Sequence, residues 1–251
     1  MTTLLVTRPA PQAAELVTLL AERGLDAISV PTVEIAPAPP DGALDKAIQS
    51  LDGAAWLVIT SVNGAAALLG RLTALSASLP VGVRVAAVGP ATAAALEMGA
   101  LRVDHIPPRY RTVAIADGLG DVAGRRVVLA RADAATADLR DLLRSRGALV
   151  EEVVAYRTVE GPAASRDRVR AALAQPLDGV TFTSGSTVRG LHALLSPPEA
   201  LRVTALPAYC IGPVTAKVAR GAGFAVPVVA ASHTVVALAE AIHAHLSKEI
   251  S

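Results

Sequence analysis

The feature that most constrains this chain is a repeat of its sequence against itself at an offset of 123 positions (131 less 8). Arg8 in LLVTRPAP matches Arg131 in VVLARADA, and Gly24 in LAERGLDA matches Gly147 in LRSRGALV. ITSVNG from Ile59 matches FTSGST from Phe182, and GPAT from Gly89 matches GPVT from Gly212, which sets Thr92 on Thr215. The tails RTVAIADGL from Arg111 and HTVVALAEAI from His233 continue the match with one residue gained or lost. A register held this far marks a duplicated unit, and the period suits two domain-sized halves rather than a solenoid.

Short Val/Leu/Ile-rich runs alternate with helical patterns of ten to fifteen residues, the signature of α/β architecture with parallel sheets. Solid apolar runs such as WLVI agree, because parallel strands are buried on both faces. In QAAELVTLLAERG the residues Ala14, Val17, Leu20 and Ala21 are expected to form the buried helical face, with Gly24 ending the helix. PTVEIAPAPP (31–40) and VVAYRTVEGP (153–162) read instead as extended, proline-punctuated connectors. The expected organisation is a discontinuous α/β domain, 1–36 plus 160–251, with a second α/β domain, 37–159, inserted into it.

At 52% hydrophobic and 18% charged, the 251 residues supply an ample core. Net charge of +1 and 2% aromatics argue against nucleic acid as a partner. The absence of a long apolar run argues against a membrane span. The N-terminus has no signal-peptide pattern, so a cytoplasmic location is expected. The lone cysteine, Cys210, excludes an internal disulfide and reads as a buried strand residue.

Four strand-to-helix turns carry small hydroxyl residues and glycine: Thr60–Gly64, Gly89–Thr92, Thr183–Thr187 and Gly212–Thr215. Ligands of open α/β sheets bind beyond the carboxyl ends of the strands, where free amides and the helix dipole favour anions. Any one of Ser61, Thr92, Ser184 and Thr215 could merely satisfy a first helical turn. Four such turns together point to a carboxylate or phosphate ligand. GxSxG, Walker, HExxH and GxGxxG motifs are all missing, and the histidines His105, His192, His233, His243 and His245 are scattered, so no metal site is expected from them and no dinucleotide-cofactor signature is present. Glu151 and Glu152 are adjacent and so face opposite sides of a strand, which suits surface charges better than an acid/base pair. Arg8 and Arg131 could contact anions or form salt bridges. Tyr156 stands in the connector AYRTVEG; a phenol is protonated at neutral pH and can donate a proton or hydrogen bond. A tyrosine simply packed on a hinge is the competing reading.

Taken in order, LLVTRP, ITSVNGA, VAAVGPATAAAL, VVAYRTV, TFTSGSTV, CIGPVTAKVARGAG and TVVALAEAI resemble the uroporphyrinogen-III synthase family over essentially the whole chain. The resemblance implies two flavodoxin-like domains joined by a two-stranded linker. It implies a cofactor-free lyase of tetrapyrrole (haem) biosynthesis, in which linear hydroxymethylbilane loses water and closes to uroporphyrinogen III with ring D inverted. It assigns the assisting proton donor to Tyr156. It places substrate contacts at Ser61, Asn63, Gly64, Gly89, Thr92, Ser184, Gly185, Ser186 and Thr215, facing a substrate with eight carboxylates. A two-domain clamp of this kind needs no partner subunit, so a monomer is expected. The rivals are a non-catalytic two-lobed small-molecule-binding protein and a two-domain sugar-phosphate enzyme. The second would need a nucleotide-phosphate loop or an acidic metal motif.

Overall fold

A computed structural model describes residues 2–109 and 111–249. The chain divides into two compact units, residues 1–34 with 159–251, and residues 35–158. It opens with β1 (Thr3–Val6), α1 (Ala10–Ala21) and β2 (Asp26–Ser29), and leaves the first unit along β3 (Val33–Pro37). The second unit continues with α2 (Ala43–Gln49), β4 (Trp56–Ile59), α3 (Val62–Ala74), β5 (Arg84–Ala87) and α4 (Pro90–Met98). After a 3-10 helix (Thr112–Gly118) come β6 (Arg126–Ala132), α5 (Asp138–Ser145) and the long β7 (Leu149–Glu160), which returns to the first unit. That unit is completed by α6 (Arg166–Leu173), β8 (Gly179–Phe182), α7 (Gly185–Leu194), α8 (Pro197–Thr204), β9 (Ala208–Cys210), α9 (Pro213–Gly221), β10 (Val228–Val229) and α10 (Val235–Glu249).

The first unit holds a five-stranded sheet in the order β10-β9-β8-β1-β2, and the second holds one in the order β3-β7-β6-β4-β5. The pairings of β1 with β2 and β8, β9 with β8 and β10, β4 with β5 and β6, and β6 with β7 are all parallel. The fold is therefore mixed α/β with parallel sheets. Alternate strand residues feed opposite layers. Leu5, Val180, Phe182 and Cys210 join one core of the first unit, while Leu4, Val6 and Tyr209 join α1 and α10 in another. In the second unit Leu57, Ile59, Val128 and Ala130 face one layer, and Trp56, Val58, Val127 and Leu129 face the other. Strands buried on both faces explain why they read as unbroken apolar runs.

The repeat is kept residue by residue in the pairing. Thr3 pairs with Asp26 and Val6 with Ser29; 123 positions on, Arg126 pairs with Leu149 and Leu129 with Glu152. Even the sheet edges correspond: Tyr209 pairs with Val228 in β10, and the matching Ala86 makes an isolated parallel bridge to His105.

Two expectations are corrected. The buried face of α1 is Ala13, Leu16 and Leu20; Ala14 and Ala21 are exposed and Val17 is only half-buried. The pair Leu16 and Leu20, four residues apart, buries more apolar surface than a stripe centred on the two alanines. The matched tails also diverge. Residues from Val235 form a fifteen-residue helix, but those from Thr112 form only a seven-residue 3-10 helix ending at Gly118. Leu119 closes that helix, and Gly120 follows in the left-handed region at φ 71°.

Candidate functional site

All four expected turns lie beyond the carboxyl ends of parallel strands: Thr60–Gly64 after β4, Gly89–Thr92 after β5, Thr183–Thr187 after β8 and Gly212–Thr215 after β9. β4 neighbours β5, and β8 neighbours β9, so each unit presents two adjacent turns.

In the second unit, Ser61 caps α3 with its Oγ accepting the Gly64 N–H at 3.0 Å. The same Oγ lies 3.0 Å from the Tyr156 hydroxyl. Gly64 is buried, and a Cβ there would stand 3.2 Å from Ser61 Oγ and 3.6 Å from the Ala130 carbonyl, so a side chain would crowd the cap. Asn63 is half-buried in the first turn. Gly89 caps α4 with extended backbone and Pro90 behind it; Thr92, 3% exposed, lies one turn in. The extended φ of −172° at Gly89 is open to any residue, so its glycine is not required by backbone strain.

Tyr156 reaches Ser61 because of an irregularity in β7. Arg131 pairs with Val154, but Ala132 pairs with Tyr156, so one residue is bulged. Burial alternates through Val153, Val154 and Ala155, and then Tyr156 is buried as well, at 7% exposure. A bulge re-aims the side chains that follow it. Without the extra residue Tyr156 would share the exposed side of Val154.

In the first unit, Ser184 caps α7 in a reciprocal box: its Oγ accepts the Thr187 N–H at 3.2 Å while Thr187 Oγ1 accepts the Ser184 N–H at 3.3 Å. Ser184 Oγ also lies 2.8 Å from Ser186 Oγ. Gly185 opens the helix close to α9: a Cβ would meet Val218 at 3.1 Å and Arg189 at 3.2 Å. Thr215, 6% exposed, occupies in α9 the place of Thr92 in α4. His233 packs over Gly212, where a Cβ would come within 2.4 Å of the imidazole, a contact that no local pattern announces. The structure thus joins Tyr156, Ser61 and Gly64 in one hydrogen-bonded group and Ser184 with Ser186 in another.

Glu151, Glu152 and Arg131 take structural places. Glu151 pairs with Arg126 at 2.7 Å and Glu152 with Arg131 at 2.6 Å, so neither glutamate is free as an acid or base. Arg131 is fully buried and also donates to the Thr136 carbonyl at 2.6 Å. Cys210 is buried in β9, where desolvation pushes its pKa up to about 11, an inert thiol rather than a nucleophile. A cleft of about 600 Å³ lined by His105, Arg109, Arg111 and Asp117 contains none of the four turns. Among the described residues no group of three or more His, Cys, Asp or Glu could hold a metal ion, and no helix is long and apolar enough to cross a membrane.

Residues 14–240 match the family model described as uroporphyrinogen-III synthase HemD. The uroporphyrinogen-III synthase of Synechococcus elongatus is 32% identical over 221 residues, 85% of this chain and 83% of that protein. A putative uroporphyrinogen-III synthase of Methanothermobacter thermautotrophicus is 30% identical over 193 residues, 75% of this chain and 76% of that one. The fold is similar to the crystal structure of a mutant uroporphyrinogen III synthase from Thermus thermophilus, with a TM-score of 0.67 at 20% identity over 99% of this chain and 100% of that one. The Helicobacter pylori enzyme aligns over the whole of both chains at 0.62 and 15% identity. The chain belongs to the uroporphyrinogen-III synthase family.

Proposed function

We propose that Tyr156 is the proton donor when this lyase closes hydroxymethylbilane to uroporphyrinogen III, and that the four small-residue turns bind the substrate carboxylates. The observation that carries this reading is the 3.0 Å contact between Tyr156 and Ser61. Ser61 Oγ already accepts the Gly64 N–H, so its own hydroxyl proton is available for Tyr156 Oη. In that arrangement the phenol proton is left to point outward. A chain of donors running from a helix N-terminus through a serine to a phenol polarises each bond in turn.

Hydroxide is a poor leaving group, so a proton delivered to the bilane hydroxymethyl oxygen lets it depart as water and leaves an azafulvene cation. Ring D then attacks through its substituted carbon, and a spiro intermediate rearranges to the inverted macrocycle. The macrocycle returns a proton when the last pyrrole regains aromaticity. Hydroxymethylbilane becomes uroporphyrinogen III plus water, with no net change at Tyr156. Holding ring D for the inverted attack is the other requirement, and it is a matter of fixed geometry. Backbone amides beside Ser61, Gly89, Ser184 and Gly212, with the hydroxyls of Thr92, Ser186 and Thr215 and the Asn63 amide, suit carboxylates without a strong positive field. Gly64 and Gly185 keep side chains away from those amides.

In this reading the two units are similar flavodoxin-like domains, the first discontinuous, and β3 and β7 form the two-stranded linker. The matched strand registers support it. The test is product analysis: fresh hydroxymethylbilane is supplied, the products are oxidised, and uroporphyrins I and III are separated. Isomer III well above the enzyme-free control is expected. Isomer I alone, at the spontaneous rate, would leave a two-lobed binder.

A further inference from the structure

The duplicated arginines Arg8 and Arg131 begin from the same place in their units and end with different partners. Arg131 is fully buried and forms an ion pair with Glu152 on the neighbouring strand. Glu152 pairs in register with Leu129, as Ser29 pairs with Val6 in the first unit. The residue that stands where Glu152 would neutralise Arg8 is therefore an exposed serine. Among the described residues Arg8 keeps two buried nitrogens, Nε and Nη1, without a hydrogen-bond partner, whereas Arg131 keeps only Nε. Among the described residues the third nitrogen of Arg8, Nη2, makes a single long bond, 3.5 Å to Gln12 Oε1.

Orphaned buried donors are costly and rare, and they call for an explanation at each position. Burial pushes the Arg8 pKa down from its ordinary value, opposed by the charge of Glu15 on α1, yet a guanidinium stays charged. A half-buried guanidinium with two buried nitrogens and no ion-pair partner is a poor structural element and a good anion receptor. Its place fits a receptor: β1 pairs with β8, Val6 beside Thr181, so Arg8 is level with Thr183 at the start of the turn that carries Ser184, Gly185 and Ser186.

We propose that Arg8 binds a carboxylate of the tetrapyrrole substrate on the first unit, and that the serine at position 29 is what leaves it available. The proposal rests on the synthase reading and adds a charged, specificity-determining contact to it. Guanidinium and carboxylate match as planar forks, so the contact would also orient the side chain it holds.

Four variants test it, read by steady-state kinetics, porphyrin binding and thermal melting. Arg8→Gln is expected to raise KM for hydroxymethylbilane and Kd for uroporphyrin III, followed by porphyrin fluorescence, about tenfold or more, with a smaller change in kcat. Arg8→Lys should fall between, keeping the charge without the fork. Ser29→Glu, at an exposed position, should weaken both parameters in the same direction while the melting temperature holds or rises, because it rebuilds the Arg131–Glu152 pair in the first unit. The double variant Arg8→Gln/Ser29→Glu should be no weaker than Arg8→Gln alone by more than about twofold. KM and Kd within twofold of wild type in Arg8→Gln would overturn the proposal, as would a fall in melting temperature and kcat at constant KM. Wild-type formation of isomer III and wild-type binding of uroporphyrin III are scored separately, so failure of the synthase reading is distinguishable from failure at Arg8.

Discussion

Tyr156 Oη and Ser61 Oγ lie 3.0 Å apart although 95 positions separate the two residues, and Ser61 at the same time caps α3. One serine therefore serves a helix and a phenol. Tyr156→Phe is expected to lower kcat about a hundredfold, the scale of one general acid, while the melting temperature changes little. Ser61→Ala should cost about 1 kcal/mol of stability through the lost cap. It should also lower kcat, and the double variant should be no slower than Tyr156→Phe alone within about threefold, since the proposed proton path runs through both. Single-turnover rates and thermal melts of the three proteins check this.

Asp45, 1% exposed, is gripped by Arg71 through Nε at 2.7 Å and Nη2 at 2.6 Å, and accepts the Asp41 N–H at 2.7 Å. The hydrogen bonds from Arg71 above all hold its carboxyl below the ordinary range, against the effect of burial. Arg71→Ala leaves a buried carboxylate without its cation and should lower the melting temperature by about 5 °C at neutral pH. The folded pKa is depressed, so the pair's stabilisation is present above about pH 4, the unfolded aspartate value, and is lost as pH falls through the folded value. The gap between wild type and Arg71→Ala should therefore close in acid. A gap that stayed constant from pH 7 to pH 2.5 in calorimetry would contradict this account.

Gly190 on α7 faces the Thr32 carbonyl so closely that a Cβ would come within 2.0 Å of that oxygen and 3.1 Å of the Gly161 nitrogen. Thr32 Oγ1 lies within hydrogen-bond distance of the Thr187 carbonyl at 2.9 Å and the Thr7 carbonyl at 3.0 Å. The obstacle is backbone, which cannot rotate away. Gly190→Ala should destabilise the first unit by about 3 kcal/mol, measured by urea unfolding, whereas Gly70→Ala, with nothing within 4 Å of the new Cβ, should not destabilise the second.

Cys210 offers a simple probe of integrity. With its side chain buried and its pKa raised to about 11, the thiol should react with an aromatic disulfide reagent at pH 8 far more slowly than a free thiol. Full reaction is expected in concentrated guanidinium. Fast labelling of the native protein would mean that β9 opens readily.

The sequence by itself determined the duplication, the alternation of strands and helices, and the four turns beyond strand ends. Those features are local or periodic: strands buried on both faces must be apolar throughout, and a turn that opens a helix must begin with small or capping residues. Tertiary structure decided three other matters. The buried face of α1 turned on whether Leu16 or the alanines Ala14 and Ala21 packed inward beside Leu20, and the layer beneath chose the larger side chain. The fate of each duplicated arginine depended on its neighbour across the sheet, Glu152 for one and Ser29 for the other, a pairing that only strand register defines. The meeting of Tyr156 with Ser61 required a one-residue bulge opposite Ala132. A bulge reverses which side a strand residue faces, and it arises from pairing with a distant segment, so no local pattern in AYRTVEG could announce it.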